Sequence, residues 1–193
     1  MKTLKIILIL SQICLLLLFT NSVFAQENRF SAGVELALPM GDFADAAGIG
    51  FGASLRYEIP LGEQLGVMAT LGYLSFTEEE PTPGYSFQTA MIPIQIGLKY
   101  YFMESQDGFY AAVQTGVHLF STKVETPEVK DPFGNIIFPA VDDTETSTEF
   151  SIAPGIGYHL ENVDVGLRYQ LIFTEGESTS YLGLRLAYVF GSR

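Results

Sequence analysis

Beyond Arg29 the chain repeatedly alternates, residue by residue, between large apolar side chains and small or polar ones. In 29–38, Phe30, Ala32, Val34, Leu36 and Leu38 share one face, and Arg29, Ser31, Gly33, Glu35 and Ala37 share the other. A period of two fits a β-strand and not a helix, whose faces recur every 3.6 residues. Eight segments carry the pattern: 29–38, 49–59, 65–76, 89–102, 109–120, 149–160, 163–173 and 181–190. The last repeats the first, with Leu182, Leu184, Leu186, Tyr188 and Phe190 opposite Tyr181, Gly183, Arg185, Ala187 and Val189. The chain is therefore committed to an all-β fold of eight strands, each long enough to cross a membrane when tilted.

Alternation does not say which face is inside, because a soluble lipocalin-like barrel alternates too, with its apolar residues inward. The small residues decide it. With each register set by the large aliphatic side chains, Gly33, Gly50, Gly52, Gly66, Gly72, Gly97, Gly116, Gly155, Gly157, Gly166 and Gly183 all fall on the opposite face. So do the charged residues Arg29, Glu35, Arg56, Glu58, Lys99, Glu149, Asp164, Arg168 and Arg185. A narrow eight-stranded lumen has room for such a lining, whereas a soluble exterior built of glycine would be poorly solvated. The expected fold is an eight-stranded antiparallel up-and-down transmembrane β-barrel, apolar outside and polar within.

Aromatic residues on the apolar faces form two groups, as the interfacial girdles of such barrels do. Phe30, Tyr57, Tyr100, Phe102, Phe109, Tyr158, Tyr188 and Phe190 lie toward one rim, and Phe51, Tyr73, Phe150, Tyr169 and Phe173 toward the other. The connections also alternate in length. Short periplasmic turns are expected at 60–64, 103–108 and 161–162, and outer loops at 39–48, 77–88, 121–148 and 174–180. Pro93 and Pro154 fall inside strands and remove ladder hydrogen bonds, so a bulge is expected at each.

Residues 1–25 do not share the pattern. Lys2 and Lys5 precede an apolar run from 6 to 19, and Val23-Phe24-Ala25 offers a signal-peptidase site. The run is too short for a spanning helix, so it reads as a cleaved signal peptide, leaving 26–193 as the barrel domain. Cys14, the single cysteine, lies within it, and the preceding Ser11-Gln12-Ile13 does not resemble a lipoprotein site. The mature chain thus has no thiol for disulfides or metal binding. Without Lys2 and Lys5, eight basic residues face 22 acidic ones, a formal charge of −14. Such a surface repels nucleic acid.

The sequence resembles the small eight-stranded outer-membrane β-barrel proteins, in particular the Bacteroidota-type porin-like or PorT-like barrel family. The likeness rests on Pro39-Met40-Gly41-Asp42-Phe43, Gly50-Phe51-Gly52-Ala53, Ile92-Pro93-Ile94 through Lys99-Tyr100-Tyr101-Phe102, and the closing Tyr188-Val189-Phe190, and covers the mature chain. It implies residence in the outer membrane of a Gram-negative cell, with outer-membrane lipid, lipopolysaccharide and the barrel-insertion machinery as partners. The terminal aromatic that this machinery reads would be Phe190, although Gly191-Ser192-Arg193 follows it. No peptidoglycan-binding domain is expected after the barrel.

The inward charges nearly balance: Arg29, Arg56, Lys99, Arg168 and Arg185 against Glu35, Glu58, Glu149 and Asp164. Buried charges must be paired to be tolerated. We therefore expect a lumen ion-pair network of Glu35, Arg56, Glu58, Lys99, Arg168 and Arg185, with Glu35 meeting Arg185 and Arg56. Such a network reads as a plug. The alternative is a narrow porin-like channel for ions or small solutes.

Nothing points to catalysis or a cofactor. A lipid A-modifying enzyme of the barrel type would need a histidine and a serine together and open to lipid. His118 and His159 are inward, near opposite membrane faces, and the nearest serine downstream of His118 is Ser121. The outer loops carry thirteen acidic residues against Lys123 and Lys130. These carboxylates could hold Ca²⁺ or Mg²⁺ bridging to lipopolysaccharide phosphates, although no EF-hand spacing is present, so a metal is left open. The expected function is a non-enzymatic structural and surface-interaction role with acidic extracellular loops.

Overall fold

The computed structural model describes residues 28–77, 86–126, 129–130, 133, 136–138, 141–174 and 178–190. The expected signal peptide lies outside the described residues, as do Gly191-Ser192-Arg193 and several loop carboxylates. In chain order the elements are β1 (Arg29–Met40), α1 (Asp42–Ala46), β2 (Gly50–Pro60), β3 (Leu65–Phe76), β4 (Ser86–Tyr101), β5 (Gly108–Thr126), β6 (Val129–Lys130), β7 (Ile136–Phe138), β8 (Val141–Leu160), β9 (Val163–Phe173) and β10 (Ser178–Phe190). Eight strands close into one barrel in the order β1-β10-β9-β8-β5-β4-β3-β2, while β6 and β7 pair with each other. Every barrel pair is antiparallel, and closure sets Phe30 opposite Phe190 and Leu38 opposite Leu182.

The alternation maps onto this barrel face by face. Val34, Leu36, Leu38, Ile96, Leu98, Leu184 and Leu186 are exposed on the outer surface, and Glu35, Lys99 and Arg185 are buried inside. Closure leaves the ring without an edge strand, which hydrocarbon requires because it offers no hydrogen bonds. The two aromatic groups stand outward at opposite ends, and several touch across strands. Phe30 meets Phe190 at 6.0 Å between centroids, Phe109 meets Tyr158 at 4.9 Å, and Phe150 meets Phe173 at 6.0 Å. No described helix is long and apolar enough to cross a membrane.

The strands depart from expectation at one end. β5 and β8 remain paired from Gly108–His159 to Thr126–Val141, so much of the stretch expected as the loop 121–148 is a hairpin continuing past β9. β4 follows β5 out to Ser86, but β9 pairs with β8 only up to Phe173 opposite Phe150. The first long connection is not plain loop either, because α1 folds back toward the barrel mouth and contacts β1 and β10.

The expected bulges are absent. At Pro93 the β3–β4 ladder lapses between Leu71–Ile94 and Leu74–Met91, and at Pro154 the β8–β9 ladder lapses between Ile152–Leu171 and Gly155–Arg168. The register is the same on both sides of each gap, and both prolines stay in register with β5. A strand in the wall of a closed ring is held on both edges, so omitting the bonds the prolines cannot make disturbs the sheet less than inserting a residue. Gly72 makes room for the Pro93 ring: a Cβ there would lie 3.0 Å from Pro93 Cγ.

Candidate functional site in the barrel lumen

The lumen is filled by inward side chains in three zones. At the short-turn end, Lys99 Nζ donates to Asp164 Oδ2 at 2.7 Å and to Glu58 Oε2 at 3.3 Å. Its ammonium also lies 3.9 Å from the Tyr110 ring centroid and 4.9 Å from that of Tyr101. Tyr101 donates its hydroxyl hydrogen to Glu58 Oε1 at 2.7 Å and accepts from Arg29 Nη1 at 3.2 Å. Tyr110 donates to Asp164 Oδ1 at 3.1 Å. It lies against Gly157, where a Cβ would collide with the phenol ring, so this strand position must be glycine for the tyrosine to reach its carboxylate.

Asp164 is the hub of this zone. Arg56 Nη1 lies 3.6 Å and Arg185 Nη1 3.5 Å from its Oδ1, and His159 Nδ1 lies 3.7 Å from its Oδ2. In the middle zone Arg168 Nη2 donates to Glu35 Oε2. Arg185 spans the two zones, donating from Nε to Ser54 Oγ at 2.8 Å and from Nη2 to Ser31 Oγ at 3.1 Å, with Nε 3.8 Å from Glu35 Oε1.

A chain of hydrogen bonds leads from Arg168 to the uncharged groups above. Arg168 Nη2 donates to Tyr181 Oη at 3.4 Å, and Tyr181 Oη lies 3.4 Å from His118 Nε2. His118 Nδ1 is 3.0 Å from Ser151 Oγ, which donates to the Gly116 carbonyl at 3.4 Å. Both ring nitrogens of His118 are thus within hydrogen-bond reach of a hydroxyl, and the direction of each bond follows the tautomer. Gln95 Nε2 closes the zone, donating to Ser151 Oγ and to Gln170 Oε1.

The third zone, at the long-loop end, is apolar. Ala37, Leu74, Phe76, Met91, Ile172 and Ala47 cluster inside the barrel against Tyr181, with Phe43 of α1 and Phe120 packed on them. The Phe43 and Phe76 rings meet edge to face at 5.1 Å. A cavity of about 20 Å³ lies against Arg56, Tyr110, Gln114, Gly166, Arg168 and Arg185, roughly the space of one water molecule.

The structure brings together all six residues expected in the network, but with different partners. Glu35 meets Arg168 and Arg185, whereas Arg56 reaches Asp164 and donates from Nε to Thr70 Oγ1 at 3.2 Å. The expected Glu35–Arg56 contact is not formed, because in the β1–β2 register Glu35 faces Gly52 and Arg56 faces Ser31, toward the short-turn end. The hub role of Asp164 and the two tyrosine clamps were not read from the sequence. Alternation placed Asp164 inside, but its partners come from strands distant in sequence. The serine beside His118 is Ser151, not Ser121, and both residues are buried in the lumen rather than open to lipid. Among the described residues no cluster of His, Cys, Asp or Glu is placed to hold a metal ion.

A closed antiparallel ring with an aliphatic exterior, aromatic rims and a charged interior defines an integral membrane barrel. Residues 12–190 match the outer membrane protein beta-barrel domain, and the chain belongs to that family, an integral β-barrel of the outer membrane. Solved structures of similar shape are outer-membrane barrels. Ail of Yersinia pestis gives a TM-score of 0.59 at 12% identity, over 84% of this chain and 97% of that one. The N-terminal β-barrel domain of Pseudomonas aeruginosa OprF gives 0.53 at 13% identity, over 86% and 98%. A major outer membrane protein from Thermus thermophilus gives 0.51 at 16% identity, over 86% and 100%. At these identities the likeness is one of fold. No curated protein matches the sequence.

Proposed function

We propose that this protein acts without transport or catalysis, as an outer-membrane barrel that contributes to envelope integrity and presents an acidic face to the cell exterior. The observation that carries this reading is the double closure of the lumen. An ion-pair layer anchored on Asp164 and Glu35 is followed by an apolar layer under α1, and Lys99, Arg185, Tyr101 and Tyr181 are all almost fully buried. Moving a hydrated ion through would break several buried charge pairs, at about 3–5 kcal/mol each. Reconstitution into planar bilayers tests it: the reading expects no discrete current steps, and stable steps would favour the narrow-channel alternative.

The surface role rests on the long-loop end. There the outer half of β8 is paired with β5 on one side only and has no described strand on the other, leaving an open edge that carries exposed Asp143 and Glu145. Ail of Yersinia pestis has been crystallised with the heparin analogue sucrose octasulfate. The excess of carboxylates in these loops argues against a polysulfated ligand here, since like charges repel. Lipopolysaccharide and the barrel-insertion machinery complete the proposed set of partners. Unchanged lipid A in cells with and without the protein would agree with the absence of lipid chemistry, and an altered acylation pattern would overturn it.

A further inference from the structure

We propose that the barrel holds one small monovalent anion, chloride or its equivalent, in the lumen cavity lined by Arg56, Arg168 and Arg185. The first ground is charge. Among the described residues, the buried ionic groups are Arg56, Lys99, Arg168 and Arg185 on one side and Glu35, Glu58 and Asp164 on the other. Arg29 and Glu149, at opposite rims, are both only half-buried and offset each other. One positive charge is left uncompensated in a lumen enclosed by lipid, a costly arrangement unless a counter-ion accompanies it.

The second ground is geometry. The cavity of about 20 Å³ is lined by three arginines, Arg56, Arg168 and Arg185, and by residues that include Tyr110, Gln114 and Gly166. Two nitrogens of these lining residues, Arg168 Nε and Arg185 Nη1, are buried with no hydrogen-bond acceptor. Arg185 Nη1 has only its 3.5 Å approach to Asp164. Gln114 already uses its amide oxygen as acceptor for Thr70 at 3.0 Å, which leaves its NH₂ group to donate. Arg168 Nε and Arg185 Nη1 thus lack hydrogen-bond acceptors, and the carboxylates are engaged elsewhere except for Glu35 Oε1. A water molecule would satisfy the donors but not the charge, whereas a halide does both. Small size, monovalence and the absence of any geometric demand for a planar or tetrahedral ligand fit the space and the single excess charge.

The test uses the protein purified from outer membranes in detergent. Thermal unfolding is followed in sodium chloride, sodium bromide and sodium gluconate at equal ionic strength. Chloride and bromide are expected to raise the midpoint saturably by about 5 °C over gluconate, because a ligand that binds only the folded state stabilises it. Arg185→Gln removes the excess charge and a cavity donor, and should abolish the halide dependence. If that variant fails to fold, Arg56→Gln serves the same purpose. Anomalous scattering from bromide-grown crystals should give a peak between Arg168 and Arg185. Equal midpoints in all three salts, or ordered water with no bromide peak in the cavity, would overturn the proposal.

Discussion

Each buried charge in the lumen is held by more than one partner, and this decides what a single substitution costs. Glu35 balances Arg168 and Arg185. Glu35→Gln should therefore lower stability by roughly 3 kcal/mol, since it leaves a guanidinium without its counter-charge in a low-dielectric space. Urea unfolding of the barrel from lipid vesicles measures it. Tyr101→Phe removes the hydrogen bond to the ionised Glu58 carboxylate and the acceptor of the half-buried Arg29, with no charge lost, so the same assay should read about 1.5–3 kcal/mol. Leu36→Ala, on the lipid face, leaves no buried polar group unpaired and no sealed cavity, and should cost less than Glu35→Gln. A Leu36→Ala variant less stable than Glu35→Gln would place Leu36 in a core and reverse the inside-out assignment.

At the scale of elements, the period of two was legible from sequence because a tilted strand between lipid and a packed lumen faces two opposite solvents. Glycines on one face and large aliphatics on the other therefore located all eight barrel strands. Strand ends were less legible where that contrast stops. Beyond Phe120 and Phe150 the β5–β8 hairpin becomes mostly polar, Val124 and Val141 apart, and pairing continues without an alternating hydrophobic signature. The short helix α1 was missed for a related reason: five residues carry too little period to announce a helix, and Phe43 is placed by a contact with Phe76, distant in sequence.

Because no cysteine follows Cys14, single cysteines placed along 34–38 report their own environment. Spin labels at 34, 36 and 38 should be accessible to a lipid-soluble relaxant, and labels at 35 and 37 should not; labels that do not alternate would contradict the strand. Phe43→Ala loosens the apolar layer but leaves the Asp164 and Glu35 pairs in place. It is therefore expected to remain non-conducting in planar bilayers, whereas current steps in this variant would make α1 the barrier and the ionic layer permeable.

For the whole molecule, the physics of the fold is inverted relative to a soluble domain: ions are inside and aliphatics outside. The arrangement is stable only if the ring is closed and surrounded by lipid, since an open edge in hydrocarbon leaves backbone groups unpaired. Strands β1 and β10, at the two ends of the described sequence, complete that closure through the pairs from Phe30–Phe190 to Met40–Ser180. The partners of each lumen charge emerged only once that ring was assembled, because Glu35 and Arg168, or Glu58 and Lys99, meet across strands that sequence pattern alone does not bring together.

That the chain forms a closed barrel in the outer membrane is tested by its gel mobility from isolated outer membranes with and without boiling. A closed barrel resists unfolding by detergent at room temperature, so the account predicts a band in that fraction that shifts on heating. Recovery of the protein in the soluble periplasm with no heat-dependent shift would contradict it and turn the apolar face inward.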